Sequence, residues 1–126
     1  MIAFVVALAL VVVPSFTSPS GNVRCFALPN VLHCDVQRAD YAAALRARCA
    51  GIDWRGFDLT PTRKGEVACS GGALLMGEVH PRYATLPYGR SWHAGVFTCA
   101  AAAAGVTCRS RAGHGFFASR RRYRLF

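Results

Sequence analysis

The thirteen residues 97–109, FTCAAAAAGVTCR, decide the fold. Five alanines in succession suggest a helix, yet Cys99 and Cys108 bracket them with eight residues between. A run of five cannot repay the cost of nucleating a helix, and the β-branched Val106 and Thr107 do not extend one. In an antiparallel hairpin, by contrast, directly opposed residues have position numbers with a constant sum. Setting Cys99 against Cys108 places Ala102–Gly105 at the tip, with Gly105 available for a left-handed loop position. Opposed strand residues also lie at a Cα separation that a disulfide spans. The stretch therefore reads as a stapled hairpin.

The same spacing occurs earlier in the chain. Gly21–Asp35 (GNVRCFALPNVLHCD) and Gly95–Arg109 (GVFTCAAAAAGVTCR) both run glycine, three residues, cysteine, eight residues, cysteine. Pairing Cys25 with Cys34 leaves Pro29-Asn30 as a tight turn between β-branched and aromatic flanks. Two stapled hairpins leave Cys49 and Cys69 for each other. Between the hairpins, ADYAAALRARCAG (39–51) predicts one helix, with Asp40 as N-cap and Gly51 as its stop. Tyr41, Leu45 and Cys49 share one of its faces. WRGFDLTPTRKGEVACSGGALL (54–75) reads as a strand, a turn near Thr60–Gly65 and a second strand through Cys69. HPRYATLPYGRSWHAG (80–95) reads as loop, with Pro87 and Gly89 placed for a turn. The tail GHGFFASRRRYRLF (113–126) reads as a turn and one strand, along which Arg120, Arg122 and Arg124 alternate with Arg121, Tyr123 and Leu125. The expected class is mainly β: a small antiparallel sheet or barrel with disulfide-stapled hairpins and one short helix.

A chain of 126 residues fits one domain. Ile2–Val13 is an unbroken apolar run of secretory length, short of the ~20 residues a membrane helix needs, and Pro14, Ser15, Thr17 and Ser18 follow it. This predicts a signal peptide over residues 1–17, cut between about Ser15 and Ser18, and a single disulfide-rich domain over 18–126. A buried N-terminal strand is the competing reading. Export, to the periplasm, the envelope or the medium, makes sense of six cysteines in a small chain. Beyond Ser18 the chain has 29 large apolar residues and 18 alanines, so its core is small and the crosslinks matter. On chain-entropy grounds each disulfide would contribute ~2.5–3.5 kcal/mol. The net charge is +9, and fourteen of the fifteen basic residues are arginine. Such a surface favours polyanions: an anionic envelope polymer or membrane surface. Nucleic acid is not the expected partner of an exported chain, and a monomer is expected.

The motifs SPSGNVRC (18–25), LHCDV (32–36), LPYGRSW (86–92), GVFTC (95–99), GVTCRS (105–110), GHGFFASR (113–120) and terminal YRLF carry a further signal. Together they resemble a family of small exported bacterial proteins, domain-of-unknown-function family 6636, over Ser18–Phe126. The resemblance implies an exported, disulfide-rich β domain and implies no activity. Two departures are visible. CSGGA (69–73) stands where the family has C-x-G-D, so an acidic role there is lost. QRADYAAALRAR (37–48) replaces a segment that carries Pro and Trp in relatives, which would make the helix particular to this chain.

Chemistry-bearing patterns are sparse. The cysteines sit too far apart for zinc-ligand spacing, and His33, His80, His93 and His114 share none, so neither metal nor cofactor is expected. C-x-x-C and a nucleophile elbow are both missing. His114, between two glycines, is the one histidine that would serve a small hydrolase, with Asp35 and Ser119 as partners. Trp54, Tyr83, Tyr88, Trp92 and Tyr123 offer stacking surfaces beside Arg82, Arg90 and Arg122, although such rings usually form the core of a small β domain. The ligand-binding candidates are Tyr88, Arg90, Trp92, His114, Arg120 and Arg122. Arg109, Arg111 and Arg120–Arg124 would form a basic face if the last hairpin and the tail share a sheet. The leading expectation is an exported non-enzymatic module that binds an anionic envelope component or partner protein through Arg and aromatic side chains. The alternatives are a secreted inhibitor of a hydrolase such as lysozyme, and a small hydrolase using His114.

Overall fold

The structure, a computed structural model, describes residues 2–5, 13–69 and 83–126. The second half of the apolar N-terminal run, together with His80 and Arg82, lies outside the described residues. Among the described residues eleven strands form two sheets. The first contains β1 (Ser15–Thr17), β2 (Val23–Leu28), β3 (Val31–Val36), β4 (Trp54–Leu59), β5 (Glu66–Cys69) and β6 (Ala84–Thr85), in the order β5-β4-β3-β2-β1-β6. The second contains β7 (Ser91–Ala94), β8 (Phe97–Ala102), β9 (Gly105–Ser110), β10 (Gly115–Ala118) and β11 (Tyr123–Leu125), in the order β11-β10-β9-β8-β7. Pairing is antiparallel throughout, apart from parallel β1 and β6. The mainly β class with stapled hairpins and one short helix holds, its strands divided between two open sheets packed face to face, without a closed barrel among the described residues. Each disulfide-bearing sheet has one apolar face, and the two faces cover each other.

Both predicted hairpins form in the predicted register, Cys25 opposite Cys34 and Cys99 opposite Cys108. The repeat extends well beyond them. Across the first sheet the directly opposed residues run Phe16, Cys25, Cys34, Phe57, Val67. Across the second they run Trp92, Cys99, Cys108, Phe116, Leu125. Opposed residues share a face, so each row is one line of the core. The two rows meet partner to partner. The rings of Phe16 and Trp92 lie 4.9 Å apart, those of Phe57 and Phe116 5.6 Å, and Cys34 Sγ lies 3.9 Å from Cys108 Sγ. Even the glycine before each phenylalanine recurs: a Cβ on Gly56 would stand 1.9 Å from the Cys34 carbonyl oxygen, and one on Gly115 2.0 Å from that of Cys108. The chain is two five-stranded meanders stacked on their disulfides.

The meanders differ where β3 leaves for β4. In the second copy the equivalent link is the short turn 111–114, whereas here the chain detours through α1 (Ala42–Arg48). Leu45 and Cys49 are buried, and Tyr41 packs against Trp54 and Tyr123. The N-cap position is Tyr41, without a side-chain cap, instead of the expected Asp40. Asp40 is held elsewhere, its N–H donating to the Arg120 carbonyl at 2.8 Å and its carboxylate 3.7 Å from the Arg120 guanidinium. The Cys49–Cys69 disulfide ties the helix end to β5. Among the described residues no helix is long and apolar enough to cross a membrane.

Three local readings change. Residues 91–94, read as loop, are the edge strand β7, because Trp92 pairs with Cys99 and packs its ring on Phe16. The tail is a hairpin and not one strand, so Arg120, Arg121 and Arg122 occupy its turn, where Ser119 Oγ accepts from the Arg121 and Arg122 N–H groups. Gly105 begins β9, outside a two-residue tip of Ala103 and Ala104. Its φ of +150° and a virtual Cβ 2.6 Å from Phe117 still demand glycine there.

Candidate functional site

The alanine tip that fixes the fold also walls a broad concavity. A groove of about 830 Å³ runs between Ala102–Gly105, the Ser18–Asn22 turn and Ser119-Arg120. Its rim is pinned by short bonds. The Gly89 N–H donates to the Ala101 carbonyl at 2.8 Å, which fixes the Pro87–Arg90 turn and with it Tyr88, 54% exposed, beside the tip. On the opposite wall the Asn22 side chain bridges Arg38, accepting from its N–H at 2.8 Å and donating to its carbonyl at 3.0 Å. Ser18 Oγ accepts from the Val23 N–H at 3.1 Å and closes the turn through Gly21.

A second concavity of about 700 Å³ adjoins the first and shares Arg24, Gln37, Arg38 and Arg120 with it. The detour through α1 forms its far side, contributing Arg46, and Arg55 stands on β4. Five arginines therefore face the joined trough, against Asp35, Asp40 and Asp53. Asp40 is committed to Arg120, Asp53 lies 3.7 Å from Arg55, and Asp35 bonds to His33. Arg24, Arg38 and Arg46 make no ion pair among the described residues. The trough thus carries more arginines than carboxylates, an excess of positive charge that favours an anion.

The six candidate positions separate. Tyr88 and Arg120 converge on this groove. Trp92 is half-buried, its ring packed against the core at Phe16. Arg90 is exposed at the turn beside Tyr88, and its carbonyl accepts from the Ala101 N–H at 3.3 Å. Arg122 stacks over Phe117 at 5.2 Å, and Arg109 and Arg124 stack over Phe126 at 4.7 and 4.8 Å. The hairpin and tail do share a sheet, and these arginines form a basic, ring-supported face on its outside. His114 lies in the β9–β10 turn, its carbonyl accepting from the Ser110 N–H at 2.8 Å. Of the partners considered for it, Asp35 is bonded to His33, and Ser119 Oγ serves its own turn. The closest group of sulfur atoms, from Cys25, Cys34 and Cys108, is wholly engaged in disulfides and presents no thiolate.

Sequence reading missed the most polarised buried group. His33 is fully buried on the face of β3 opposite Cys34, with Nδ1 2.6 Å from Asp58 Oδ1 and Nε2 2.8 Å from Asp35 Oδ1. Burial alone would lower its pKa, but hydrogen bonds to Asp35 and Asp58 and the attraction of both carboxylates outweigh it and hold the pKa at about 9. The imidazolium therefore ties β3 to β4 at neutral pH. The signal was present: His33 and Asp35 are two apart on one strand, hence on one face. Tyr83 stands near Asp35 and Arg24, and burial with the Asp35 charge raises its pKa, so the phenol stays protonated.

No family model matches the chain, and neither a curated protein nor a solved structure matches it.

Proposed function

We propose that this protein is an exported, non-enzymatic module that binds an anionic cell-envelope polymer along the arginine-walled trough. The observation that carries the reading is that Arg24 and Arg38 line both concavities and neither is ion-paired to a carboxylate among the described residues. Arg120 stands between them and the alanine tip, already oriented by Asp40. A guanidinium presents planar paired donors that match carboxylate and phosphate oxygens, and it keeps its charge at any physiological pH. Tyr88 supplies an exposed flat ring for a sugar, and Ser20 supplies an exposed hydroxyl. The alanines of the tip keep that wall low, so an extended chain can lie across it. The three disulfides give a rigid frame, which lowers the entropy lost when a flexible polymer is held. The resemblance of the cysteine-bearing motifs to an exported family supports the location.

The test is titration of the oxidised protein with a carboxylated polysaccharide and with a neutral glucan of equal length. Binding of the acidic polymer alone, weakened at least roughly tenfold in Arg24→Ala/Arg38→Ala, is expected for charged pairs at an interface. Equal binding of both polymers, or an unchanged affinity in the variant, would refute the assignment.

A further inference from the structure

We infer that Phe16 belongs to the mature protein, so that the leader is removed N-terminal to Pro14 and not between Ser15 and Ser18. The inference rests on the export reading, but its physical basis is independent of it. β1 is an internal strand of the first sheet, lying between β2 and β6. Phe16 is 1% exposed, lies opposite Cys25 and stacks on Trp92 at 4.9 Å, where it forms one end of the aromatic–disulfide row. Removing it would leave Trp92 facing a void and expose the end of the Cys25–Cys34 staple. The backbone is committed as well. The Pro14 carbonyl accepts from the Ala27 N–H at 3.0 Å, and the Thr17 carbonyl accepts from the Leu86 N–H at 2.9 Å. Among the described residues β6 pairs in its sheet with β1 alone, so a cut after Thr17 would release Ala84-Thr85 too.

Function adds a further reason. Ser18 lines the groove, and its Oγ holds the Val23 N–H. A chain starting at Ser18 would place a new α-ammonium at the groove and free the turn from the strand that anchors it. The small and polar residues Ser15, Thr17 and Ser18, which resemble a cleavage region in sequence, are instead strand and turn. Ser15 and Thr17 flank the buried Phe16 in the alternation of a strand buried on one face.

Two arms test the proposal. The chain is secreted from a bacterial host, and its mature N-terminus is read by intact-mass and N-terminal sequencing. A start at or before Pro14 supports the inference. A folded product with three disulfides that starts after Pro14 overturns it. Separately, chains beginning at Val13 and at Ser18 are refolded oxidatively, without export, and compared by thermal unfolding. The Ser18 chain is expected to melt lower by on the order of 10 °C or more, or to fail to fold. Equal melting temperatures overturn the inference, whatever the first arm gives. A chain retained uncut in the cytoplasm would count against export alone, leaving the refolding arm to decide the place of Phe16.

Discussion

His33 lies fully buried between the carboxylates of Asp35 and Asp58, and its charge follows from geometry. Its folded pKa of about 9 is above the ordinary value of 6.5, so protonation stabilises the native state. That contribution is complete below pH 6.5 and is lost as the pH rises from there through 9. A shift of this size corresponds to on the order of 3 kcal/mol. Comparing wild type with His33→Gln by denaturant unfolding from pH 5.5 to 9.5 should show the wild-type advantage shrinking across that window. A constant difference would mean that the imidazole is not charged in the folded protein. A second residue-scale expectation concerns the paired glycines. Gly56→Ala and Gly115→Ala each drive a methyl into the carbonyl of a core cysteine. Each should cost at least ~2–3 kcal/mol by overpacking, readable as a shift in the denaturant midpoint.

At the scale of elements, the disulfides act as one unit as well as three staples. Cys34 and Cys108 bring the two hairpin crosslinks within 3.9 Å of each other across the core. Replacing Cys25/Cys34 or Cys99/Cys108 by alanine pairs should each cost ~2.5–3 kcal/mol on loop-entropy grounds. The quadruple variant should depart from the sum, because contacting sites couple by ~0.5–3 kcal/mol. Strict additivity would indicate that the sheets do not meet on their disulfides. The hairpins were legible in sequence because a constant sum of positions and two cysteines leave a single register. The sandwich was not legible, because its pairing rests on Phe16 with Trp92 and Phe57 with Phe116, which stand at unequal offsets from the cysteines. The detour through α1 lengthens one copy and hides the period. Strand β7 escaped for a related reason: SWHA is short and sits among turn residues, and only its pairing to Cys99 makes it a strand.

Considered whole, the molecule gathers arginines in excess of carboxylates where its two halves fail to match. The extra excursion after β3 builds one wall of the trough, and the alanine tip of the other meander builds another. Composition announced the positive surface, and Tyr88 and Arg120 were legible as candidates. Arg24 and Arg38 were not, since they are far from both in sequence and are gathered only by the stacking of the sheets. Charge-driven binding there must weaken with ionic strength, because the Debye length falls from ~10 Å at 0.1 M to ~3 Å at 1 M salt. The most direct measurement is therefore the affinity for a carboxylated polysaccharide across salt concentrations, for wild type, for Arg24→Ala/Arg38→Ala and for Arg63→Ala, whose side chain lines neither concavity. Wild type and Arg63→Ala should show the same steep loss of affinity with salt, and the double variant a weaker affinity with a shallower slope. A slope unaltered in Arg24→Ala/Arg38→Ala, or altered equally by Arg63→Ala, would contradict a binding trough and leave only a diffuse basic surface.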